Sequence, residues 1–479
     1  MIIAGISEGF HDASLTILED NNIVFASHSE RYSKTKNDPS LNNEIINDAL
    51  LKVKKDIDVV AYYENPFLKQ ARLIFHGGIN DKPLFFKDTF LKNKKRYNVS
   101  HHKSHAAAGY YTSKFDDAVI VVLDAIGEFN TASIWIGNNE NIKCVYKQNY
   151  PVSFGLFYSA FTHLIGLKPN QEEYIMMGMA AYGDWKKYYE KVNDYFISYT
   201  QQKYNFHKGI TDWGWIESDQ DKFDIAAAVQ FVYEQRLNEF MRMAKTITGR
   251  NNLVFMGGCA LNSKANTLLW NIFDDIWIMP NPGDAGSSLG AASAVYGKHI
   301  NWSSPYTGYD LSNEYPVNDV FNMIMSKQVC AVAAGKAEFG PRALGNRSIL
   351  ADPRDPNIKD KVNLIKQREL FRPFAPVIMA EHASEWFDMN YESPYMQYTP
   401  RCLKPELIPS VVHADGTSRV QTVTKDQNLG LYSVLEKFYA ATGVPILLNT
   451  SLNIKGQPLL NDEEDIKNWQ NLYKTDIIY

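Results

Sequence analysis

The chain has 479 residues, of which 45% are apolar and 13% aromatic, enough to bury a large core in roughly two to four domains. This composition excludes a disordered or fibrous protein, and a net charge of −5 gives no overall attraction to nucleic acid. The sequence contains no apolar run long enough for a membrane span, no signal-peptide pattern and no CxxC pair among its four cysteines, so we expect a cytoplasmic protein.

The first strands of the chain predict one half of a duplicated domain. Strands are predicted at 2–7, 13–18 and 22–27, and a similar triplet recurs at 118–123, 131–137 and 143–149. A glycine turn follows the first strand of each set. Two such halves, each with a hairpin that can cradle a phosphate, predict a duplicated α/β domain of the actin, Hsp70 and sugar-kinase (ASKHA) kind.

Between the two triplets, a small-residue helix is predicted to begin with two histidines four positions apart, His101 and His105. This spacing places both imidazoles on one helical face, where they can reach one metal ion. Asp124 ends the next apolar strand, and Asp284 lies where a loop enters a helix. A lone HxxxH pair is more often a helix cap in a core, but two accompanying carboxylates favour a divalent metal site.

A second glycine motif follows a buried strand that begins at Asn252. Helices are predicted at about 155–167 and 222–247, and Gly257, Gly258 and Asn262 then occupy the turn into another helix. Paired glycines let backbone amides approach a phosphate or ribose, although a tight strand-to-helix turn needs the same residues. A loop-rich stretch and a new strand at 328–335 predict two domains, 1–320 and 321–479.

Arginine is concentrated in the predicted second domain. The chain has 13 arginines among its 49 basic residues, and seven of the 13 lie between 342 and 419. Where lysine is the common cation, clustered guanidinium groups indicate phosphate or carboxylate binding, and ordinary surface salt bridges are the alternative. Together with nearby Lys, Asn and Ser side chains they predict a cradle for a polyanion, and the chain has no P-loop pattern. The residues alone therefore indicate a metal-dependent α/β enzyme with a second, anion-binding domain.

Ordered motifs along nearly the whole chain resemble the NodU/CmcH-type O-carbamoyltransferases. They include HDAS at 11–14, SER at 29–31, HHKSHA at 101–106, EYIMMGMAAYG at 173–183, GGCALN at 257–262, GDAGSSLGAA at 283–292, EFGPRALGNRSIL at 338–350, HADGTSRVQ at 413–421 and NTSLN at 449–453. The resemblance implies a Kae1-like, actin-like first domain and a YrdC-like second domain. It also implies that carbamoyl phosphate and ATP form carbamoyl-adenylate in the second domain, and that an internal passage leads to the first, where an acceptor hydroxyl is carbamoylated.

The resemblance assigns roles to residues of this sequence. The metal, implied to be iron (Fe2+), would be held by His101, His105, Asp124 and Asp284. His11 would act as acid or base, or as a positioning group, near the acceptor hydroxyl, with a turn histidine hydrogen-bonded to backbone as the alternative. Lys366, Arg372 and Arg419 would act in the activation step. Further nucleotide and phosphate ligands would be Asp12, Gly127, Glu128, Gly257, Gly258, Asn262, Arg342, Arg368, Asn449 and Ser451.

The chain departs from the family pattern at three positions. Ile175 stands where the motif usually has lysine, and Lys34 and Asn37 replace the usual Arg and His. The acceptor is therefore left open between 5-hydroxymethylcytosine in nucleic acid, as in phage, and a hydroxylated small molecule or sugar. A nucleic-acid acceptor would need a basic, aromatic-lined entrance, for which the 92–96 segment is a candidate.

Two other functions compete with O-carbamoyl transfer. Threonylcarbamoyl transfer to tRNA adenosine uses similar domains, but the second-domain motifs resemble the O-carbamoyl branch. A non-enzymatic, actin-like nucleotide-binding scaffold would leave the arginines and the HxxxH pair unexplained. Relatives also suggest a homodimer, and no membrane partner is expected.

Overall fold

A computed structural model describes residues 1–75, 93–214, 216–473 and 477–479. The chain forms two compact units, the first made of Met1–Ser29 and Asn37–Trp302, the second of Glu30–Lys36 and Ser303–Tyr479. The second unit thus includes a short early helix, α1 (Glu30–Ser33). The predicted boundary at 320 falls inside the second unit, because residues 303–320 already contribute a strand to it.

The first unit contains two five-stranded sheets with the same topology. The first sheet has the order β3-β2-β1-β4-β5 and the second the order β10-β9-β6-β7-β8. In each sheet the first strand in sequence pairs antiparallel with the second and parallel with the fourth. The strands are β1 (Ile2–Ser7), β2 (Ser14–Glu19), β3 (Asn22–His28), β4 (Val59–Tyr62), β5 (Lys95–Asn98), β6 (Asp117–Gly127), β7 (Asn130–Asn138), β8 (Asn141–Asn149), β9 (Asn252–Met256) and β10 (Asp275–Trp277).

The predicted strands of both triplets form within a few residues of their expected bounds, and the repeated strand order is the one that a duplicated domain requires. The helices of this unit are α2 (Asn43–Leu51), α3 (Pro66–Phe75), α4 (His101–Thr112), α5 (Phe154–Leu164), α6 (Glu173–Met179), α7 (Trp185–Tyr195), α8 (Asp219–Thr248), α9 (Ser263–Thr267) and α10 (Ser287–Tyr296).

Helix α4 is buried on nearly every side, which explains its lack of an amphipathic pattern. Its small residues let α10 pack very closely: a Cβ on Gly290 would lie only 1.9 Å from the carbonyl oxygen of Ser104. The first turns of α4 and the residues just before α10 are therefore held side by side.

The second unit has a six-stranded mixed sheet in the order β16-β15-β17-β14-β12-β18, and a two-stranded sheet of β11 and β13. Its strands are β11 (Tyr306–Asp310), β12 (Val329–Ala333), β13 (Lys336–Glu338), β14 (Arg347–Ala351), β15 (Ala375–Met379), β16 (Gln421–Val423), β17 (Ile446–Ser451) and β18 (Ile477–Ile478). Its other helices are α11 (Val317–Lys327), α12 (Ile358–Ile365), α13 (Ala383–Trp386), α14 (Leu429–Thr442) and α15 (Glu463–Tyr473).

The α/β class is confirmed in both units. Each helix within the described ranges is too short or too polar to cross a lipid bilayer.

Candidate functional site

The four predicted metal ligands converge at one buried point of the first unit. His101 and His105 lie on the first two turns of α4, Asp124 lies near the end of β6, and Asp284 begins the 3-10 turn that leads into α10. One nitrogen or oxygen atom of each residue lies within 4.8 Å of the others. The packing of α10 on α4 thus brings together ligands that are 179 positions apart in sequence.

The distances within this quartet fit a single ion. Nε2 of His101 lies 2.8 Å from Oδ2 of Asp124 and 3.1 Å from Nε2 of His105, which lies 3.2 Å from Oδ1 of Asp284. Ligand bonds of about 2.0–2.2 Å place neighbouring donor atoms roughly 3.0–3.5 Å apart. Two neutral imidazole acceptors at 3.1 Å also repel, so a cation or a proton must lie between them.

The electrostatics of the quartet favour positive charge at its centre. Burial disfavours charge on every member, but mutual attraction outweighs burial. The neighbouring carboxylates, Asp284 foremost, raise the pKa of His101 well above its usual value of 6.5. The two imidazoles in turn hold the pKa of Asp124 well below its usual value of 3.8. A pair of buried carboxylates that stays ionised beside two nitrogen donors is a suitable donor set for a borderline divalent ion.

Groups around the quartet hold its side chains in place. The hydroxyl of Ser287 lies 3.3 Å from Nδ1 of His105, and Oδ1 of Asp124 accepts the backbone N–H of Ala125 at 2.8 Å. Gly127 leaves room for His101, because a Cβ there would lie 2.2 Å from Cδ2 of the imidazole. Partners of this kind fix the orientation of metal ligands.

His11 lies at the edge of the quartet and is 27% exposed. Its Nδ1 lies 2.9 Å from Oδ2 of Asp12, and its Nε2 lies 3.8 Å from Oδ2 of Asp284. Burial lowers the affinity of His11 for a proton, but the bond to Asp12 and the charges of Asp284 and Asp124 outweigh it and raise the pKa to about 9. With Nδ1–H donated to Asp12, Nε2 is the atom that can exchange a proton with a substrate.

Asp12 was predicted as a nucleotide ligand, and the structure places it as the partner of His11. Its other oxygen, Oδ1, accepts a hydrogen bond from Nδ2 of Asn37 at 2.7 Å. Asn37, which departs from the family pattern, therefore fixes the carboxylate that orients His11.

Other predicted nucleotide ligands of the first unit also make contacts within the protein. Oε1 of Glu128 accepts the backbone N–H of Asn65 at 2.7 Å, and burial raises the pKa of Glu128. Asn262 caps α9 through the N–H of Ala265 at 3.1 Å. Gly257 and Gly258 form the turn after β9, where a Cβ on Gly258 would lie 3.2 Å from Oδ1 of Asp124. The glycine turn therefore borders the quartet.

In the second unit, the predicted catalytic lysine is deeply buried. The ammonium of Lys366 donates to the carbonyl oxygen of Ser451, to its hydroxyl at 3.2 Å, and to the carbonyl oxygen and Oδ1 of Asn453 at 2.9 and 2.8 Å. Burial, together with the charges of Arg368 and Arg372, holds the pKa of Lys366 well below its usual value. Lys366 therefore loses its proton more readily than an ordinary lysine, because it is buried close to other positive charges.

Four arginines share this region. Burial and the positive charges of Arg342, Arg368 and Arg372 lower the pKa of Arg419, and Nε of Arg419 has no partner among the described residues. Arg368 stacks on Phe374 with 4.4 Å between its guanidinium carbon and the ring centroid. Like charges gathered in partial burial repel one another, and an anion placed among them would relieve that repulsion.

Two other arginines of the cluster are structural. The guanidinium of Arg347 is fully buried and donates to backbone carbonyls, including those of Ala334 and Asn461. Arg354 forms a two-pronged ion pair with Asp352. The concentration of arginine in the sequence therefore does not by itself distinguish candidate anion ligands from arginines that bond to the protein's own carbonyls and carboxylates.

The predicted polar ligands Asn449 and Ser451 lie on β17. Nδ2 of Asn449 donates to Oε1 of Gln421 at 2.7 Å, and the hydroxyl of Ser451 donates to Oδ1 of Asn453 at 2.6 Å. Oδ1 of Asn449 is buried without a partner among the described residues, so this oxygen of β17 remains available to accept a hydrogen bond from a substrate.

Sequence reasoning missed the orienting residues Ser287 and Asn37. Ser287 lies within the GDAGSSLGAA motif, three positions after Asp284. That short spacing from a predicted metal ligand is the signal by which the sequence could have identified it. Ile175, at the position of the family lysine, is a buried residue of α6. Of the basic 92–96 segment proposed for nucleic acid, Lys92 lies outside the described residues, and Lys95 and Arg96 are exposed on β5.

Comparison with known proteins adds family information to this geometry. A family model described as carbamoyltransferase N-terminus matches residues 74–293, and one described as carbamoyltransferase C-terminus matches residues 321–479. The chain is 30% identical to an uncharacterized protein of Synechocystis, sll1178, over 97% of this chain and 93% of that one. It is 31% identical to nodulation protein NolNO of Sinorhizobium fredii over 95% and 76% of the two chains. It is 27% identical to 3'-hydroxymethylcephem-O-carbamoyltransferase of Amycolatopsis lactamdurans over 97% and 95%.

Proposed function

The chain belongs to the carbamoyltransferase family, and we propose that it is an ATP-dependent O-carbamoyltransferase that works in two steps at two sites. The observation that carries this proposal is the coexistence of a buried His–Asp quartet beside His11 with a separate cluster of buried cations around Lys366. A scaffold without chemistry would not need either arrangement.

The activation step is proposed to occur in the second unit. Water converts carbamoyl phosphate to carbamate and phosphate, and a carbamate oxygen then attacks the α-phosphorus of ATP, expelling pyrophosphate and leaving carbamoyl-adenylate. Arg342, Arg372 and Arg419 would neutralise the phosphate oxygens, while Lys366, Asn449 and Ser451 would orient the carbamoyl group. Burial and the positive charges of Arg342, Arg368 and Arg372 lower the pKa of Arg419, and a bound anion would relieve both the burial of charge without a counter-ion and the repulsion, which supports an anionic substrate here.

The transfer step is proposed to occur beside the quartet in the first unit. The acceptor oxygen attacks the carbamoyl carbon, AMP leaves with the electron pair of the broken C–O bond, and Nε2 of the neutral form of His11, whose share rises with pH toward the pKa of about 9, takes the hydroxyl proton. Asp12 holds the imidazole so that Nδ1–H points away from the reaction. The turn at Gly257 and Gly258 offers backbone amides to the adenylate.

A divalent ion, when bound by His101, His105, Asp124 and Asp284, would supply positive charge that stabilises the departing AMP phosphate. We propose iron(II), which the family resemblance implies. The set of two imidazoles and two carboxylates also suits other borderline divalent ions.

We also propose that the first unit is Kae1-like, of the actin-like class, and that the second is YrdC-like. The repeated order of the two five-stranded sheets supports the first assignment. The placement of the cation cluster in the segments that lead into β14, β15 and β16 of the mixed sheet supports the second.

The proposed acceptor is a hydroxylated molecule, either a small molecule or sugar, or 5-hydroxymethylcytosine. The name of the relative from Amycolatopsis lactamdurans places a hydroxymethyl group on its acceptor. A hydroxymethyl group attached to a ring is therefore the first type to test.

The experiment measures pyrophosphate release from ATP in two reactions without acceptor. One contains carbamoyl phosphate, and the other contains bicarbonate and threonine. Release with carbamoyl phosphate alone supports the proposal, whereas release only with bicarbonate and threonine would assign threonylcarbamoyl transfer. Mass spectrometry of acceptors incubated with the complete system then detects the addition of HNCO. A chelator that prefers iron to magnesium, added with Mg2+ in excess over ATP, is expected to abolish this mass gain but not pyrophosphate release.

A further inference from the structure

The loop between β1 and β2, residues 8–13, is fixed at several points. The N–H of Gly9 donates to the carbonyl oxygen of Pro39 at 2.7 Å, and the N–H of Ala13 donates to that of Asp38 at 2.8 Å. Further bonds join Tyr62 to the carbonyl oxygen of Glu8 and Lys69 to that of Gly9. A loop held in this way presents its outward side chains in one defined place.

Phe10 is the large apolar side chain on this loop, and it is 57% exposed. Its ring centroid lies 4.6 Å from that of His11, at an interplanar angle of 49°. An exposed phenylalanine lacks the stabilisation that burial of its ring would give. Because the backbone of this loop is held by several hydrogen bonds, the exposure of the ring is not explained by a flexible loop. The ring therefore lies beside the proposed proton acceptor as a firm apolar surface.

The ammonium of Lys69 lies over one face of this ring, and its charge is compensated. Nζ of Lys69 lies 5.7 Å from the Phe10 centroid and only 2.6 Å from Oε1 of Glu64. Because this lysine already has a carboxylate partner, the surface presents the face of the Phe10 ring to a ligand and little net charge. Such a face suits the flat, weakly polar side of an uncharged ring.

We propose that Phe10 is a stacking platform for a ring of the acceptor. This inference rests on the proposed carbamoyl transfer and names the acceptor class: a ring-bearing alcohol whose hydroxyl lies on the ring or one carbon outside it. Because the Phe10 centroid lies 4.6 Å from that of His11, a ring stacked on Phe10 would bring a hydroxymethyl substituent near the imidazole. Heteroaromatic bases and pyranose sugars share this chemistry, since both present a flat face to an aromatic side chain.

The test compares wild type with Phe10→Ala, Phe10→Tyr and the control Leu51→Ala, which truncates an 85% exposed side chain on α2. Binding of 5-hydroxymethyl-2′-deoxycytidine, methyl α-glucopyranoside and acyclic 1,2-propanediol is measured by calorimetry or ligand-observed NMR. We expect Phe10→Ala to weaken binding of a ring acceptor about ten-fold, a typical loss for one stacking contact. Phe10→Tyr is expected to retain the wild-type affinity for a ring acceptor, and Leu51→Ala is expected to leave it unchanged.

The two cyclic probes distinguish a base from a sugar. Three results would contradict the proposed stacking role of Phe10. They are equal weakening of acyclic-diol binding by Phe10→Ala, no weakening of ring binding at all, and no preference of the wild type for either ring over the diol. Acceptor-free pyrophosphate release by wild type is measured in parallel. Its absence would refute the proposed function, while the binding comparison would still decide whether Phe10 stacks on a ring.

Discussion

The hydroxyl of Ser287 lies 3.3 Å from Nδ1 of His105, the ring nitrogen opposite the one that faces the two aspartates. A serine in this position can accept the Nδ1–H, which leaves Nε2 available as a metal ligand. The contact is therefore compatible with the tautomer that metal binding through Nε2 requires.

Ser287→Ala is expected to weaken metal affinity about 10- to 100-fold, the usual cost of losing an orienting partner. Competition with a chelating dye measures the change. Ser293→Ala is the matched control, because Ser293 is also a buried serine of α10 but its hydroxyl donates to the carbonyl oxygen of Leu289 within the same helix. Equal affinity in both variants would show that Ser287 does not orient the ligand.

Gly127→Ala should displace the imidazole of His101, because the added Cβ would lie 2.2 Å from Cδ2 of that ring. We expect the purified variant to lose most of its metal while remaining folded, as judged by metal analysis and circular dichroism. Gly283→Ala is the control, since the nearest atom to its new Cβ would lie 4.0 Å away. A fully metallated Gly127→Ala variant would contradict the proposed ligand geometry.

His11→Asn should abolish carbamoyl transfer while ATP–pyrophosphate exchange survives. Removing a general base costs about 10²- to 10⁴-fold in the step that it serves, and activation is assigned to the other unit. Asp12→Asn, which keeps the shape but loses the charge that orients His11, should reduce transfer less. Loss of exchange in a folded His11→Asn protein would argue against a division into two sites.

Lys366→Met should abolish pyrophosphate release and lower stability. The change leaves the buried oxygens around Ser451 and Asn453 without their donor, at a cost of about 1–3 kcal/mol in the free energy of unfolding. Urea denaturation measures that cost. Lys361→Met is the control, because Lys361 lies on α12, the helix that ends just before Lys366, and its ammonium is exposed. Because unfolding could by itself remove activity, release is assayed below the unfolding transition; normal release there would limit Lys366 to a structural role.

Some features of the site could be predicted from local sequence because backbone geometry fixes local spacing. The interval from His101 to His105 specifies one helical face, and the continuous apolar run from Ala118 to Leu123 indicates a buried strand that ends near Asp124. The second-domain arginines show the limit of this reasoning. Arg347 and Arg419 belong to the same sequence cluster, yet one is saturated by backbone carbonyls and the other keeps a buried, unpartnered Nε among the described residues.

By itself, the sequence determined the α/β class, the repeated strand triplets, the four metal-ligand candidates and the family. Tertiary structure alone decided that Asp284 reaches His105 across 179 positions, that Asn37 holds Asp12, and that Phe10 lies exposed beside His11. The physical reason is that helix and strand periods follow from each residue and its near neighbours. Contacts between distant segments depend instead on how closely elements such as α4 and α10 pack, which no local pattern encodes.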